Sequence, residues 1–233
     1  MNLLRLLFLF FVGTIFILVF FVPFYLVSPN SYLSSIFLNN TSVAYQSVYS
    51  QARILSSNNV SVLQLTFVNS GDENVLIKNI SVNGTTVFNH YIPLINFQNL
   101  TVYFKLKNIM NSNATVKFYV MTGNSSMTEN TTAYVVKVAY SNLTNIIDVE
   151  SYAISNTSML YYYIVNFSPF PVYIEKIQYG NITLFNSTVE LQPLTAKEFN
   201  FTLTNNINLY GNLTVEIKSY GGYEEQLNET VVY

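Results

Sequence analysis

Few residues in this chain have the types and spacing that catalysis or metal binding needs. His90 is the sole histidine. It lies in FNHYIP between two strand regions with no partner set beside it, so it reads as structural rather than as a ligand. Asp72 and Glu73 in SGDEN could face a hard cation. Ca²⁺ takes about 6–8 oxygens, however, and two adjacent carboxylates at a turn supply few. Glu224 and Glu225 are neighbours on a strand or turn, so their side chains diverge and cannot act as a glycosidase pair. With no cysteine there are no disulfides, thiolate metal sites or cysteine nucleophiles. Ser/His/Asp sets, Gly-rich phosphate loops and activated lysines are missing too. Lys–Asn isopeptide bonds occur in some surface sandwiches, but eight Lys and thirty Asn leave too many pairings to assign one. The expectation is a protein that is not an enzyme, with no catalytic residue, no cofactor and no metal.

One chemistry is abundant. Asn-x-Ser/Thr acceptor triplets begin at Asn39, Asn40, Asn59, Asn79, Asn83, Asn99, Asn113, Asn124, Asn130, Asn142, Asn156, Asn166, Asn181, Asn186, Asn200, Asn212 and Asn228. Random placement of the same residues would give about 5, against the 17 found. Crowding of Asn, Ser and Thr in turns explains some of the excess but not its spread over the whole chain after Leu38. The expectation is a heavily N-glycosylated extracellular surface.

The elements that would carry this surface start with an anchor. Leu6 to Val27 is an uncharged apolar run of 22 residues. As a helix it would cover the ~30 Å hydrocarbon core at ~1.5 Å per residue. Arg5 is the only charge before it and Arg53 the next one after, so the positive-inside rule puts the rest of the chain outside. A cleaved signal peptide is the rival, but the run is long for one and no small-x-small site follows it. Residues 1–28 are thus read as a signal-anchor in the cell membrane and 29–42 as a stalk or linker strand.

Only 9% of the residues are charged, half are hydrophobic, and there are 19 Tyr and 18 Phe. Such a composition excludes disorder, and a net charge of −2 without a basic cluster excludes nucleic-acid binding. Beyond the anchor the chain repeats itself. Residues 59–88 align with 156–185 at an offset of 97 without a gap, and the pattern resumes at offset 99. Both copies alternate at period two, rich in Val, Ile, Thr, Tyr and Phe, with turn residues every 8–12 positions. Strands are predicted near 43–55, 60–68, 75–82, 85–88, 99–106, 114–121 and 132–140, then 146–154, 158–166, 172–179, 182–185, 198–204, 212–219 and 229–233. Val75 and Ile77 share a face, and Ile80 and Val82 regain it three residues on. Val172, Ile174, Ile177 and Tyr179 do the same, which predicts a β-bulge at one place in both copies. The fold class expected is all-β, two tandem immunoglobulin-like β-sandwich domains over 43–140 and 141–233, preceded by one N-terminal transmembrane helix.

The predicted anchor, the triplets, the absence of Cys and the half-motif V-N-x-S/G followed by V-x-I-x-x-I resemble cell-surface proteins of thermoacidophilic archaea. The β-sandwich heads of archaeal pilins, archaellum stators and thread-like filament subunits are similar in pattern. The tandem pair departs from stators, which have one module, and the missing prepilin site departs from type IV pilins. The resemblance implies a structural or adhesive role at the cell surface. An acidic medium would suit a surface of hydroxyls and amides, which keep their hydration when carboxylates protonate.

Between the copies one tip differs. SGDEN (Ser70–Asn74) becomes FSPFP (Phe167–Pro171), followed by Tyr173. An apolar tip marks an interface or folds back on its own chain, which makes Phe167, Pro169, Phe170, Pro171 and Tyr173 interface candidates. The last strand, ending TVVY, is expected to be several residues shorter than its counterpart, and Tyr32–Leu38 (YLSSIFL) is β-prone. One chain could therefore donate a strand to the next. The function expected is a membrane-anchored, N-glycosylated extracellular structural or adhesion protein acting by contact with other surface proteins or itself. The alternatives are a filament subunit assembled by donor strands after signal cleavage, and a ligand-binding accessory module.

Overall fold

A computed structural model describes residues 48–122, 125–156, 158–203 and 212–232. The predicted anchor and stalk lie outside these residues, as do Asn39, Asn40 and Asn124. Among the described residues no helix is long and apolar enough to cross a membrane.

The described residues are nearly all β. In order come β1 (Val48–Ser56), β2 (Ser61–Asn69), β3 (Val75–Val82), β4 (Thr85–Leu94), β5 (Asn99–Lys105), β6 (Ala114–Thr122) and β7 (Ser125–Lys137). After a one-turn helix α1 (Tyr140–Thr144) come β8 (Val149–Ser155), β9 (Met159–Asn166), β10 (Val172–Tyr179), β11 (Ile182–Leu191), β12 (Ala196–Thr202), β13 (Asn212–Ser219) and β14 (Glu224–Val232). They form two seven-stranded, β-sandwich-like sheets of one topology, β4-β3-β6-β7-β1-β2-β5 and β11-β10-β13-β14-β8-β9-β12. Placing the third strand beside the sixth and the fifth beside the second is an immunoglobulin-like order.

Two compact units are formed. The first holds, of its described residues, 48–52, 66–100, 114–122 and 125–133; the second holds 53–65, 101–113 and the described part of 134–233. The strand pattern explains each core. In β6, Ala114, Val116, Phe118 and Val120 point inward and alternate with Thr115 and Lys117 outside. Phe118 meets Phe67 edge-on, with ring centroids 5.1 Å apart. The second unit packs Leu160, Tyr162, Ile164, Val172, Ile174, Leu213, Val215 and Ile217 in the same way. Each such side chain contributes roughly 1.5–3 kcal/mol on burial.

A bulge occurs in both copies. The β3 register shifts between Lys78 and Ile80, where Asn79 takes φ 51°, and the β10 register shifts between Ile174 and Lys176. Ile77 and Ile80 on one strand, and Ile174 and Ile177 on the other, are fully buried across the shift. The β3–β4 turn places Asn83 and Gly84 at φ 47° and 81°, the two positive values a type I′ hairpin needs.

Four strands depart from expectation in length. β4 and β11 each continue to the end of a ten-residue strand, and β7 and β14 begin at Ser125 and Glu224. β14, at 9 residues against 13 in β7, is the shorter of the two last strands. It is not an edge, however, because it lies between β13 and β8.

Candidate functional site

The shared half-motif turns out to be a loop tie. Asn69 ends β2, with its amide nitrogen donating to the carbonyls of Glu73 (2.7 Å), Ile95 (3.0 Å) and Leu94 (3.3 Å). Its amide oxygen accepts the Gly71 N–H at 3.0 Å. Asn166 ends β9 and does the same work: Nδ2 donates to Leu191 (2.9 Å) and Phe170 (3.1 Å), and Oδ1 accepts from the Ser168 N–H at 2.8 Å. Both residues are essentially inaccessible, at 1% and 0% exposure. Asn supplies donor and acceptor on one short side chain, so it can close its own Asx turn and also pin that turn to the neighbouring strand end.

The tie removes one predicted acceptor. Asn166 begins an acceptor triplet, but its nitrogen is buried and engaged, so no sugar can be attached to the folded protein there. Asn69, its counterpart, has no triplet. Of the other acceptors, Asn59, Asn83, Asn99, Asn113, Asn130, Asn142, Asn156, Asn181, Asn186, Asn200, Asn212 and Asn228 are exposed, and Asn79 at the bulge is half-buried.

The apolar tip is turned inward, the second of the two readings that its composition left open. Phe167 and Phe170 are 2% and 6% exposed, and Pro169 is buried with them. Within the second unit, Phe170 packs on Val60, Val62 and Leu143. Its ring stacks on Tyr220 at 5.5 Å and lies 5.5 Å from the Lys105 ammonium. The Phe167 carbonyl accepts the Tyr103 N–H of β5 at 3.3 Å, and its own N–H donates to the Asp148 carbonyl at 2.8 Å. The physical reason is a second apolar cluster, which polar SGDEN could not have covered. Pro171 and Tyr173 stay half-exposed.

Beside this tip is a polar group that spacing did not reveal. Asp148 is half-buried, and its backbone N–H donates to the Ser168 hydroxyl at 2.8 Å. Loss of water, and then the Glu150 carboxylate, push its carboxyl from the ordinary 3.8 up to about 6. Tyr103 is raised as well, first by burial and then by Asp148, against a hydrogen bond donated by Gln64 Nε2 at 3.1 Å. The sole sequence signal was that FSPFP would need a receiving surface. Nothing in the spacing named Asp148 or Tyr103.

The remaining candidates stay apart. His90 is exposed in the middle of β4, edge-on to Phe88 at 5.7 Å. Asp72 is exposed at the first tip and Glu73 half-buried. Glu224 pairs with Lys218 at 2.9 Å, while Glu225 lies opposite Ile217 in the register. Lys176 and Glu216 pair at 3.3 Å across β10 and β13. Lys137 Nζ reaches Asn111 Oδ1 at 2.6 Å, but both are exposed, without the dry setting that an isopeptide bond requires. Among the described residues no group of three His, Asp or Glu is placed to hold a metal ion.

No protein-family model and no curated protein matches this chain. Solved structures give distant likenesses. The chaperone–tip adhesin pre-assembly complex of the Csu pili of Acinetobacter baumannii matches at 8% identity over 82% of this chain and 100% of that one, with a TM-score of 0.28. The CupB2 chaperone of Pseudomonas aeruginosa matches at 9% over 78% and 100%, with 0.27. Latent PorU of Porphyromonas gingivalis matches at 12% over 83% of this chain and 21% of its own, with 0.38. Scores this low carry no argument about function.

Proposed function

We propose that this is a membrane-anchored, N-glycosylated extracellular protein that acts by contact at the cell surface, in the manner of the archaeal surface proteins its pattern resembles. The observation that carries the reading is the exposure of twelve of the fourteen acceptor asparagines among the described residues. Exposure leaves each of these asparagines within reach of a sugar, and sugar would supply the solubility that charge does not. The uncharged run from Leu6 to Val27 supplies the anchor.

Glycopeptide mass spectrometry of the full chain from its own membranes tests the first half. Sugar is expected on most of the twelve exposed asparagines and none on Asn166; bare acceptors throughout refute the reading. The mature N-terminus tests the second half. A start at Met1 or Asn2 supports the anchor, and a start between Ser28 and Ser42 replaces it with a released filament subunit.

A further inference from the structure

Among the described residues the two sheets have four edges, and three of them are guarded. β5 gives its Tyr103 N–H to the Phe167 carbonyl and starts at the exposed acceptor Asn99. β11 carries the exposed acceptor Asn186 and an exposed Glu190. β12 carries Lys197, Glu198 and the exposed acceptor Asn200. Charge, covering loops and bulky surface groups are how proteins stop an edge strand from pairing with another chain.

The fourth edge has none of these on the strand itself; the nearest charge is Lys78 of β3, whose ammonium lies 5.5 Å from the Tyr91 ring. β4, TTVFNHYIPL, contains no Lys, Arg, Asp or Glu and no acceptor asparagine; the one triplet that reaches it, Asn83-Gly84-Thr85, has its asparagine in the turn before the strand. Asn89 stands where β11 has Asn186, but His90 and Tyr91 come after it, so the triplet is missing. Thr85, Thr86, Asn89, His90 and Tyr91 are all exposed. On one side β4 pairs with β3 along its length, from Val75↔Leu94 to Val82↔Thr85, and no described strand lies on the other. Pro93 is its only ordinary protection and sits next to its end. The bulge in β3 has an equal in β10, so it does not separate β4 from β11.

We infer that β4 is an interaction edge and that its partner is β4 of a second copy of this chain, paired antiparallel about a two-fold axis. A two-fold contact sets each residue against its own kind near the axis, so charged edges repel themselves while an uncharged edge does not. The ten residues of β4, spanning about 33 Å, are a full strand's length for such a ladder. The guards on Asn99, Asn186 and Asn200 rest on the glycosylation proposed above; the openness of β4 does not.

The absence of native cysteine allows a clean test. Single cysteines are placed at each position from 86 to 91 in the full-length chain, in its membrane, and oxidised. Ser187→Cys is the control, because it matches His90→Cys at the repeat offset and leaves the Asn186 triplet intact. Disulfide-linked dimer is expected at one or two adjacent β4 positions, falling at least tenfold two residues away, and none at Ser187. Equal cross-linking at His90 and Ser187, or none from 86 to 91, overturns the inference. So does cross-linking of Ser34→Cys to a β4 cysteine, which would make the segment 32–38 the occupant. Thr86→Lys with Asn89→Lys is expected to abolish the dimer with the far-UV circular dichroism unchanged; a persisting dimer refutes self-pairing. Bare acceptors in mass spectrometry would remove the sugar guards and leave the β4 result standing.

Discussion

Replacing Asp148 with asparagine turns a half-buried carboxylate into a neutral isostere of its protonated form. The folded protein holds this carboxyl at about 6 against an ordinary 3.8, so the native state binds the proton more tightly than the unfolded chain does. The charged form is therefore a cost to stability. That cost is complete above about pH 6, shrinks as the pH falls from about 6 towards 3.8, and vanishes below 3.8. A shift of about two units corresponds to ~3 kcal/mol. Asp148 is only half-buried, and water screening reduces this to about 1–2 kcal/mol. Denaturant unfolding of wild type and Asp148→Asn at pH 3 to 8 is the assay. The variant should be the more stable by about 1–2 kcal/mol at pH 7 to 8 and should converge on wild type near pH 3.5. A gap independent of pH, or a variant that is less stable at pH 8, refutes the account. Either result would mean that Asp148 keeps its water, or that Ser168 and Tyr103 stabilise its anion.

Three further changes probe the tip and turns. Asn166→Ala leaves the Phe170 and Leu191 carbonyls without their donor and should cost about 2–4 kcal/mol in denaturant unfolding, whereas Asn228→Ala on the surface should stay within about 0.5 kcal/mol. Phe170→Ala empties the place between Val60, Val62 and Leu143 and should cost about 3 kcal/mol by the same measurement. Gly84→Ala meets no atom within 4 Å but forces φ 81° on a residue with a Cβ, so its expected cost of about 1 kcal/mol, read as a lowered melting temperature, is backbone strain alone.

How far the fold was legible depends on where the apolar residues fall. β3 and β10 were predicted to their last residues because Val75, Ile77, Ile80 and Val82, and their counterparts, all face a core. Even the bulge could be read, since a broken period recurring at a fixed offset is hard to obtain otherwise. β4 and β11 were cut short for the opposite reason. An edge strand exposed along most of its length has little alternation to show, and in β4 only Ile92 and Leu94 near its end are buried. The tips were the hardest to read. SGDEN and FSPFP occupy one position in the repeat, and composition marked them as different. Direction was invisible, because it depends on Val60, Leu143 and Tyr103 from distant parts of the chain. Asn166 was misread for a related reason. A triplet reports the chemistry of three residues, while its role as a tie depends on carbonyls 4 and 25 residues further along.

Low charge and exposed edges are connected. A usual domain has ~25% charged residues and guards its strand edges with them; this chain has 22 in 233. With so few available, the protection of β11 and β12 includes Asn186 and Asn200, where sugar on the proposed reading would do what Lys and Glu do elsewhere. The same reading explains why losing one triplet matters. Asn89 is exposed, like Asn186, so besides Glu190 of β11 the two edges differ in the pair of residues after the asparagine, His-Tyr in one and Ser-Thr in the other. If neutral edges are kept apart by sugar, creating a triplet in β4 should close it. Tyr91→Thr makes Asn89 an acceptor, Asn-His-Thr. In cells that glycosylate the chain, the variant is expected to lose the β4 dimer, and after enzymatic removal of its sugar to regain it. A variant that carries sugar at Asn89 and still dimerises through β4 would show that sugar does not set which edges pair.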